Sequence, residues 1–160
     1  DYLEAVKDLC LSTIQENKID IKKTHFFLTA HSLPKRILSI GDTYQNALLE
    51  TSNELVKRLN IEHWSFAYTS KGASGGEWLG PDICDAIAEK KKEGFNDFLA
   101  CTIGFLVDHL EVRFDIDIEA QQKAHELNVS LHRAPTLNTH PGLIKTLTKL
   151  VLEKCPKKVV

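Results

Sequence analysis

His31 ends the apolar run His25 to Ala30 and opens the segment Ser32-Leu33-Pro34. A second apolar run, Phe98 to Gly104, leads into Asp108-His109-Leu110-Glu111. Both arrangements put ionisable groups where a buried parallel strand runs out into a loop, the edge at which open α/β sheets bind ligands and do chemistry. Glu111, Asp115 and Glu119 then recur at every fourth residue, which on a helix gathers like charges on one face and is repulsive unless a proton or a cation neutralises them. The chemistry suggested is proton and cation handling. A neutral imidazole, with an ordinary pKa of about 6.5, accepts protons near neutral pH and ligates borderline metals, whereas carboxylates favour harder or still-hydrated ions. Clustered carboxylates also raise one another's pKa, so such a row can hold a proton or a cation.

The elements that must position these groups are legible as four apolar, β-branched or aromatic runs: His25 to Ala30, His63 to Thr69, Phe98 to Gly104 and the weaker Val129 to Ala134. Segments with helical spacing separate them, so the pattern predicts a leading helix and four strand-helix units. That alternation predicts an α/β fold in which an open parallel sheet of about four strands carries helices on both faces. Residues 1–160 read as a single domain, with no repeat, linker or low-complexity tract. Asp42-Thr43-Tyr44-Gln45 and Asp108 with Glu111 read as capping boxes. Pro81 and Pro141 suit first-turn helix positions, and Gly94 suits a helix stop. Val112 to Glu119 alternates with period two, a strand signature, yet Leu110, Phe114 and Ile118 make a stripe at helical spacing. The helix-forming residues that follow, and the need for a crossover between parallel strands, favour a helix there, carrying a π-bulge.

Composition narrows the function. With 160 residues, 42% hydrophobic, 26% charged and a net charge of −2, the chain lacks the basic footprint of a nucleic-acid binder. No apolar stretch approaches the roughly 20 residues needed to span a bilayer. The start lacks a signal-peptide pattern, and the expectation is a soluble, cytoplasmic chain, with peripheral membrane contact left open. Cys10, Cys84, Cys101 and Cys155 are widely spaced, which argues against a cysteine metal site and for buried free thiols. The chain has no methionine, which suggests a piece of a longer product.

Several segments together resemble the ordered motifs of ferrochelatases: Ala30-His31-Ser32-Leu33-Pro34, Gly41-Asp42-Thr43-Tyr44, Trp78-Leu79-Gly80-Pro81, Gly104 through Glu111, and Phe114-Asp115 with Asp117 and Glu119. The resemblance covers nearly the whole chain and corresponds to the carboxyl-terminal half of such an enzyme. It implies one half of a two-domain chelatase that inserts Fe²⁺ into a protoporphyrin or coproporphyrin in haem biosynthesis. His31 and Glu111 match the family's catalytic pair and would handle the pyrrole protons and the metal. Asp115 and Glu119 match an acidic ladder that conducts metal or protons, while Pro34, Trp78, Phe105 and His109 match the porphyrin pocket. The implied partners are porphyrin, ferrous iron, and the missing amino-terminal half or a second copy. No cofactor beyond the substrate iron is implied, and no iron-sulfur cluster, since Cys155 stands alone before Pro156.

The sequence also departs from the family pattern. Thr43 replaces a proline, Thr69 replaces a glutamine, Arg113-Phe114 replaces a leucine-tyrosine pair, and the Lys71 to Gly76 stretch is unusually glycine-rich. That stretch lacks the Lys-Ser/Thr of a P-loop and reads as a mobile pocket wall. Arg113 is expected near the ladder, where it would offset its charge. Each candidate has an ordinary alternative: Glu111 as partner of an Asp108 cap, His31 as a hydrogen-bonded loop residue, Asp115 and Glu119 as a solvated helix face. The rival functions are a cobalt or sirohydrochlorin chelatase and a non-catalytic porphyrin- or metal-binding domain.

Overall fold

The computed structural model describes residues 1–72 and 75–155. Four strands, β1 (Thr24–His31), β2 (Trp64–Thr69), β3 (Asp97–Thr102) and β4 (Ser130–Ala134), form one parallel sheet in the order β2-β1-β3-β4. β1 and β3 are the inner strands. Seven residues of β1 and five of β3 are buried, because inner strands of a parallel sheet are covered on both faces and so read as continuous apolar runs.

Alternate residues divide the core into two. Phe26, Leu28, Ala30, Leu99 and Cys101 face one cluster, while Phe27, Ala67, Phe98 and Ala100 face the other. The first is closed by α1 (Tyr2–Glu16), α3 (Tyr44–Leu59) and α7 (Pro141–Lys154). The second is closed by α4 (Ile83–Lys92) and by a long composite helix made of α5 (Leu110–Phe114), a π-helical stretch (Asp115–Ala120) and α6 (Gln121–Glu126). A short α2 (Arg36–Ser39) follows β1. The fold class, the four strands and the π-bulge all match expectation.

Four local readings are corrected. Asp42 does not cap α3: Thr43 occupies the N-cap position without a side-chain bond, and Asp42 instead accepts from the Tyr44 amide at 2.7 Å, a tight turn that competes with the capping box. Pro81 lies outside α4, whose cap is Asp82, accepting from the Cys84 amide at 2.9 Å. Asp108 is not a cap either, because His109 holds that position on α5. The stripe of Leu110, Phe114 and Ile118 faces outward, at 81%, 46% and 54% exposed, and the buried residues are Val112, Ile116 and Ala120. Pro141 at the first turn of α7 and Gly94 after α4 with φ +104° are as expected, and Lys90, Lys91 and Lys92 end α4.

The four cysteines are free, but only Cys10 and Cys101 are fully buried, with their sulfurs 3.3 Å apart; Cys155 is exposed. The mobile wall expected along Lys71 to Gly76 falls in part on residues 73 and 74, outside the described residues. Among the described residues, no helix is long and apolar enough to cross a membrane.

Candidate active site

The site gathers at the carboxyl edge of the sheet, where β1 and β3 end. His31 is the last residue of β1 and pairs with Thr69 of β2. Its backbone is fixed on three sides: the Ser32 amide donates to the Thr69 carbonyl at 2.7 Å, the Ser32 hydroxyl donates to the Leu79 carbonyl at 2.7 Å, and the Tyr44 hydroxyl donates to the His31 carbonyl at 2.9 Å. Gly104 meets β1 at van der Waals contact; a Cβ there would lie 2.3 Å from the Ala30 side chain. Only glycine lets the two strand ends approach so closely.

The imidazole has a defined orientation. Its Nδ1 lies in hydrogen-bond contact with the Ser32 carbonyl, an acceptor only, so Nδ1 carries the hydrogen and Nε2 presents a lone pair. Nε2 faces Glu111 Oε1 at 3.9 Å. That distance is too long for a hydrogen bond.

Asp115 extends the acidic surface inward. It accepts a hydrogen bond from the Ser70 hydroxyl, just beyond the end of β2. Burial, reinforced by the nearby charges of Glu111 and Asp82, holds its carboxyl above the usual range, although the Ser70 hydroxyl and His31 pull the other way. Glu119, one step further along, lies close enough to Cys84 on α4 to help raise that thiol, which burial first, then Asp82, push up to about 12. Among the described residues, no group of three or more His, Cys, Asp or Glu side chains forms a metal cage. The arrangement is the pair His31 and Glu111 with further carboxylates at Asp115 and Glu119.

The expected pocket residues are brought to the same edge. Pro34 and Trp78 pair in an antiparallel bridge, flanked by the Leu79 amide donating to the Leu33 carbonyl at 2.9 Å. The Trp78 ring packs on the Cα of Gly72, where a Cβ would lie 2.7 Å from the indole. Phe105 makes edge-on contacts with both His31, at 6.1 Å between ring centres, and His109, at 4.5 Å. Phe105 and His109 thus form an aromatic edge beside the imidazole.

A network that the sequence reading missed holds the loop between β3 and α5. The Asp108 carboxylate accepts from Arg133 at 2.8 Å, from the Thr136 hydroxyl at 3.0 Å and amide at 3.3 Å, and from Asn138 at 3.3 Å, while its own amide donates to Asn138 at 2.9 Å. Burial alone would raise the Asp108 carboxyl, but the bonds from Asn138 and Thr136 and the Arg133 charge hold it below the usual range. Arg133 also grips Asp117, at 2.6 and 3.0 Å. Arg133 on β4, rather than Arg113, is thus the cation paired with Asp117.

A sequence model of the family described as Ferrochelatase matches residues 1–155 of the chain. A Deinococcus radiodurans protein named "Ferrochelatase" is 40% identical over 156 residues, 96% of this chain and 49% of that protein. A Geobacillus protein named "Coproporphyrin III ferrochelatase" is 32% identical over 154 residues, with 96% and 49% covered. The chain spans about half the length of the curated relatives it matches. Among solved structures, a putative cobalamin (vitamin B12) biosynthesis CbiX protein from Marinobacter aquaeolei superposes with a TM-score of 0.52 at 20% identity, covering 81% of this chain and 95% of that one. At that identity the likeness speaks for the fold alone.

Proposed function

The chain belongs to the ferrochelatase family, and on that footing we propose that it supplies the imidazole-carboxylate side of an active site that inserts Fe²⁺ into a porphyrin, in haem biosynthesis. The observation that carries the proposal is the tautomer-fixed Nε2 of His31 facing Glu111 across 3.9 Å.

Metal insertion releases two pyrrole protons for each ion taken up, and the ion must shed water as it enters the ring. An imidazole whose lone pair is directed by its neighbour accepts a proton near working pH, and it replaces water as a nitrogen ligand for ferrous iron. Glu111 accepts the second proton or steadies the incoming ion. The role of first proton acceptor is assigned to the pair rather than to one residue. Asp115, with its raised carboxyl, is a fitting relay, because a carboxyl tuned upward takes a proton more readily near neutral pH. Glu119 continues the row towards solvent. Pro34, Trp78, Phe105 and His109 provide flat apolar surface for the macrocycle, and edge-to-face ring contacts stabilise such packing. On this reading the reaction needs no resident cofactor.

The test is anaerobic metalloporphyrin formation by the full-length protein. His31→Ala and Glu111→Gln should each lower turnover at least about 100-fold, the lower end of what a positioned acid or base contributes. Turnover at the wild-type rate in either variant would remove that residue from the mechanism. Supplying Co²⁺ with sirohydrochlorin in place of Fe²⁺ with porphyrin separates the related chelatase activity.

A further inference from the structure

The surface around His31 has a charge polarity that the proton and metal chemistry does not use. On the side of the composite helix the edge is acidic, with Glu111, Asp115 and Glu119, joined by Asp82 at the start of α4. Directly after Pro34, by contrast, it is basic. Lys35 and Arg36 line a cleft of about 340 Å³ together with Pro34, Gly75, Gly76 and Glu77. Pro34 belongs both to this cleft and to the Pro34–Trp78 bridge, so the cleft opens at the rim of the aromatic surface. Its two walls are tied by the Lys35 amide donating to the Glu77 carbonyl at 2.8 Å. The Lys35 ammonium contacts the Glu77 carboxylate at 3.3 Å, with both side chains at least half exposed. Arg36, among the described residues, has no acidic partner in ion-pair contact and lies exposed at the start of α2.

We infer that this cleft is a carboxylate subsite, in which Arg36, assisted by Lys35, receives a carboxylate side chain at the periphery of the macrocycle. The inference rests on the porphyrin reading and deepens it. A flat ring lying on Trp78 and Pro34 with its centre under His31 must direct its anionic side chains somewhere. The side bearing Glu111 and Asp115 repels them, and the side bearing Arg36 and Lys35 attracts them. An exposed guanidinium with no competing acid presents two parallel N–H groups that match a carboxylate in bidentate geometry. Glu77 acts as a counterweight, holding Lys35 away from full engagement. The charge arrangement thus fixes the rotation of the ring in its plane as well as its affinity.

The test uses the full-length protein and two probes in the same detergent, a porphyrin with free carboxylates and its methyl ester, with binding followed by quenching of porphyrin fluorescence at low ionic strength. Arg36→Ala should weaken the free acid about five- to tenfold, as loss of one charge-assisted bond at a partly solvated site implies, and leave the ester unchanged. Arg36→Lys should recover part of the loss, Glu77→Gln should tighten the free acid, and salt should reduce the difference between the probes. Equal affinity of Arg36→Ala and wild type for the free acid overturns the subsite while leaving the porphyrin pocket standing. A wild-type protein that binds neither probe overturns the pocket itself, and the subsite with it.

Discussion

Replacing Asp108 by alanine probes how the loop that carries Phe105 and His109 is held in place. The carboxylate is 11% exposed and its partner Arg133 13%, so both charges lie mostly out of water. Removing one partner of a buried ion pair costs about 3–5 kcal/mol when the other is left alone. Here Arg133 keeps Asp117, which lowers that figure, while the Thr136 amide and hydroxyl and the Asn138 amide each lose an acceptor. Hydrogen bonds to a charged group contribute about 1.5–3 kcal/mol, and the net expectation is about 3 kcal/mol. In a domain of this size each kcal/mol moves Tm by about 2–4 °C, so Asp108→Ala should melt about 6–12 °C below wild type. Asp117→Ala, whose carboxylate is 35% exposed, should cost about 1 kcal/mol or less. Because the fold depresses the Asp108 carboxyl, its contribution is complete above the unfolded value of about 3.9 and is lost as pH falls through the folded value. The penalty of the variant should therefore shrink in acid. Urea unfolding of wild type and both variants at pH 7 and pH 3.5 measures all of this. An Asp108→Ala penalty under 0.5 kcal/mol, or equal penalties for the two variants, would refute the assignment of this network as the clamp on the loop.

Two further outcomes are expected. Asp115 has the opposite linkage: its carboxyl is raised in the fold, so folding loses stability as pH climbs from the unfolded value through the folded one. Asp115→Asn keeps an acceptor for Ser70 and should melt higher than wild type at pH 7, with the gap closing towards pH 4, while metal insertion by the full-length protein slows; a constant gap across that range would contradict the shift. Gly104→Ala would force a methyl against Ala30, to 2.3 Å from its Cβ and 2.8 Å from its Cα. Overpacking of this kind costs about 1–3 kcal/mol, and a two-dimensional NMR spectrum should show the His31 ring displaced; unchanged stability and an unchanged ring signal would place the strand ends further apart than described.

β1, β2 and β3 were legible as runs rich in apolar and aromatic residues, whereas β4, with Ser130, His132 and Arg133, gave the weaker signal. The strand order was not legible, since nothing local records that Phe27 lies beside both Ser65 and Ala100. The composite helix shows why a correct element can be assigned a wrong face. Leu110, Phe114 and Ile118 are spaced by four, a pattern that fits any side of a helix, and only packing reveals that Val112, Ile116 and Ala120 point inward. Asp108 with Glu111 matched a capping box because such motifs are read over four residues, whereas the partner that captures Asp108 lies on β4. The candidate pair His31 and Glu111 was singled out through residue type and motif order, and the fold sets the two side chains 3.9 Å apart. Ser70, Thr136 and Asn138 were not singled out, because a hydroxyl or amide becomes a partner only when the fold brings it there.

The π-helical stretch from Asp115 to Ala120 bears on how the carboxylates line up. In an α-helix each fourth residue advances about 40° around the axis, so three acids at that spacing would fan out like treads of a spiral stair. A π turn holds more residues, and four of them fall short of a full revolution. The advance from Glu111 to Asp115 is followed by a retreat from Asp115 to Glu119, so the first and last carboxylates return to nearly the same side of the helix, with Asp115, the more buried of the three, offset between them. With α geometry throughout and the length unchanged, Glu119 would stand about 80° around the axis from Glu111. The bulge acts as a phase correction, bringing the outer two of three residues spaced by four back to one side of the helix.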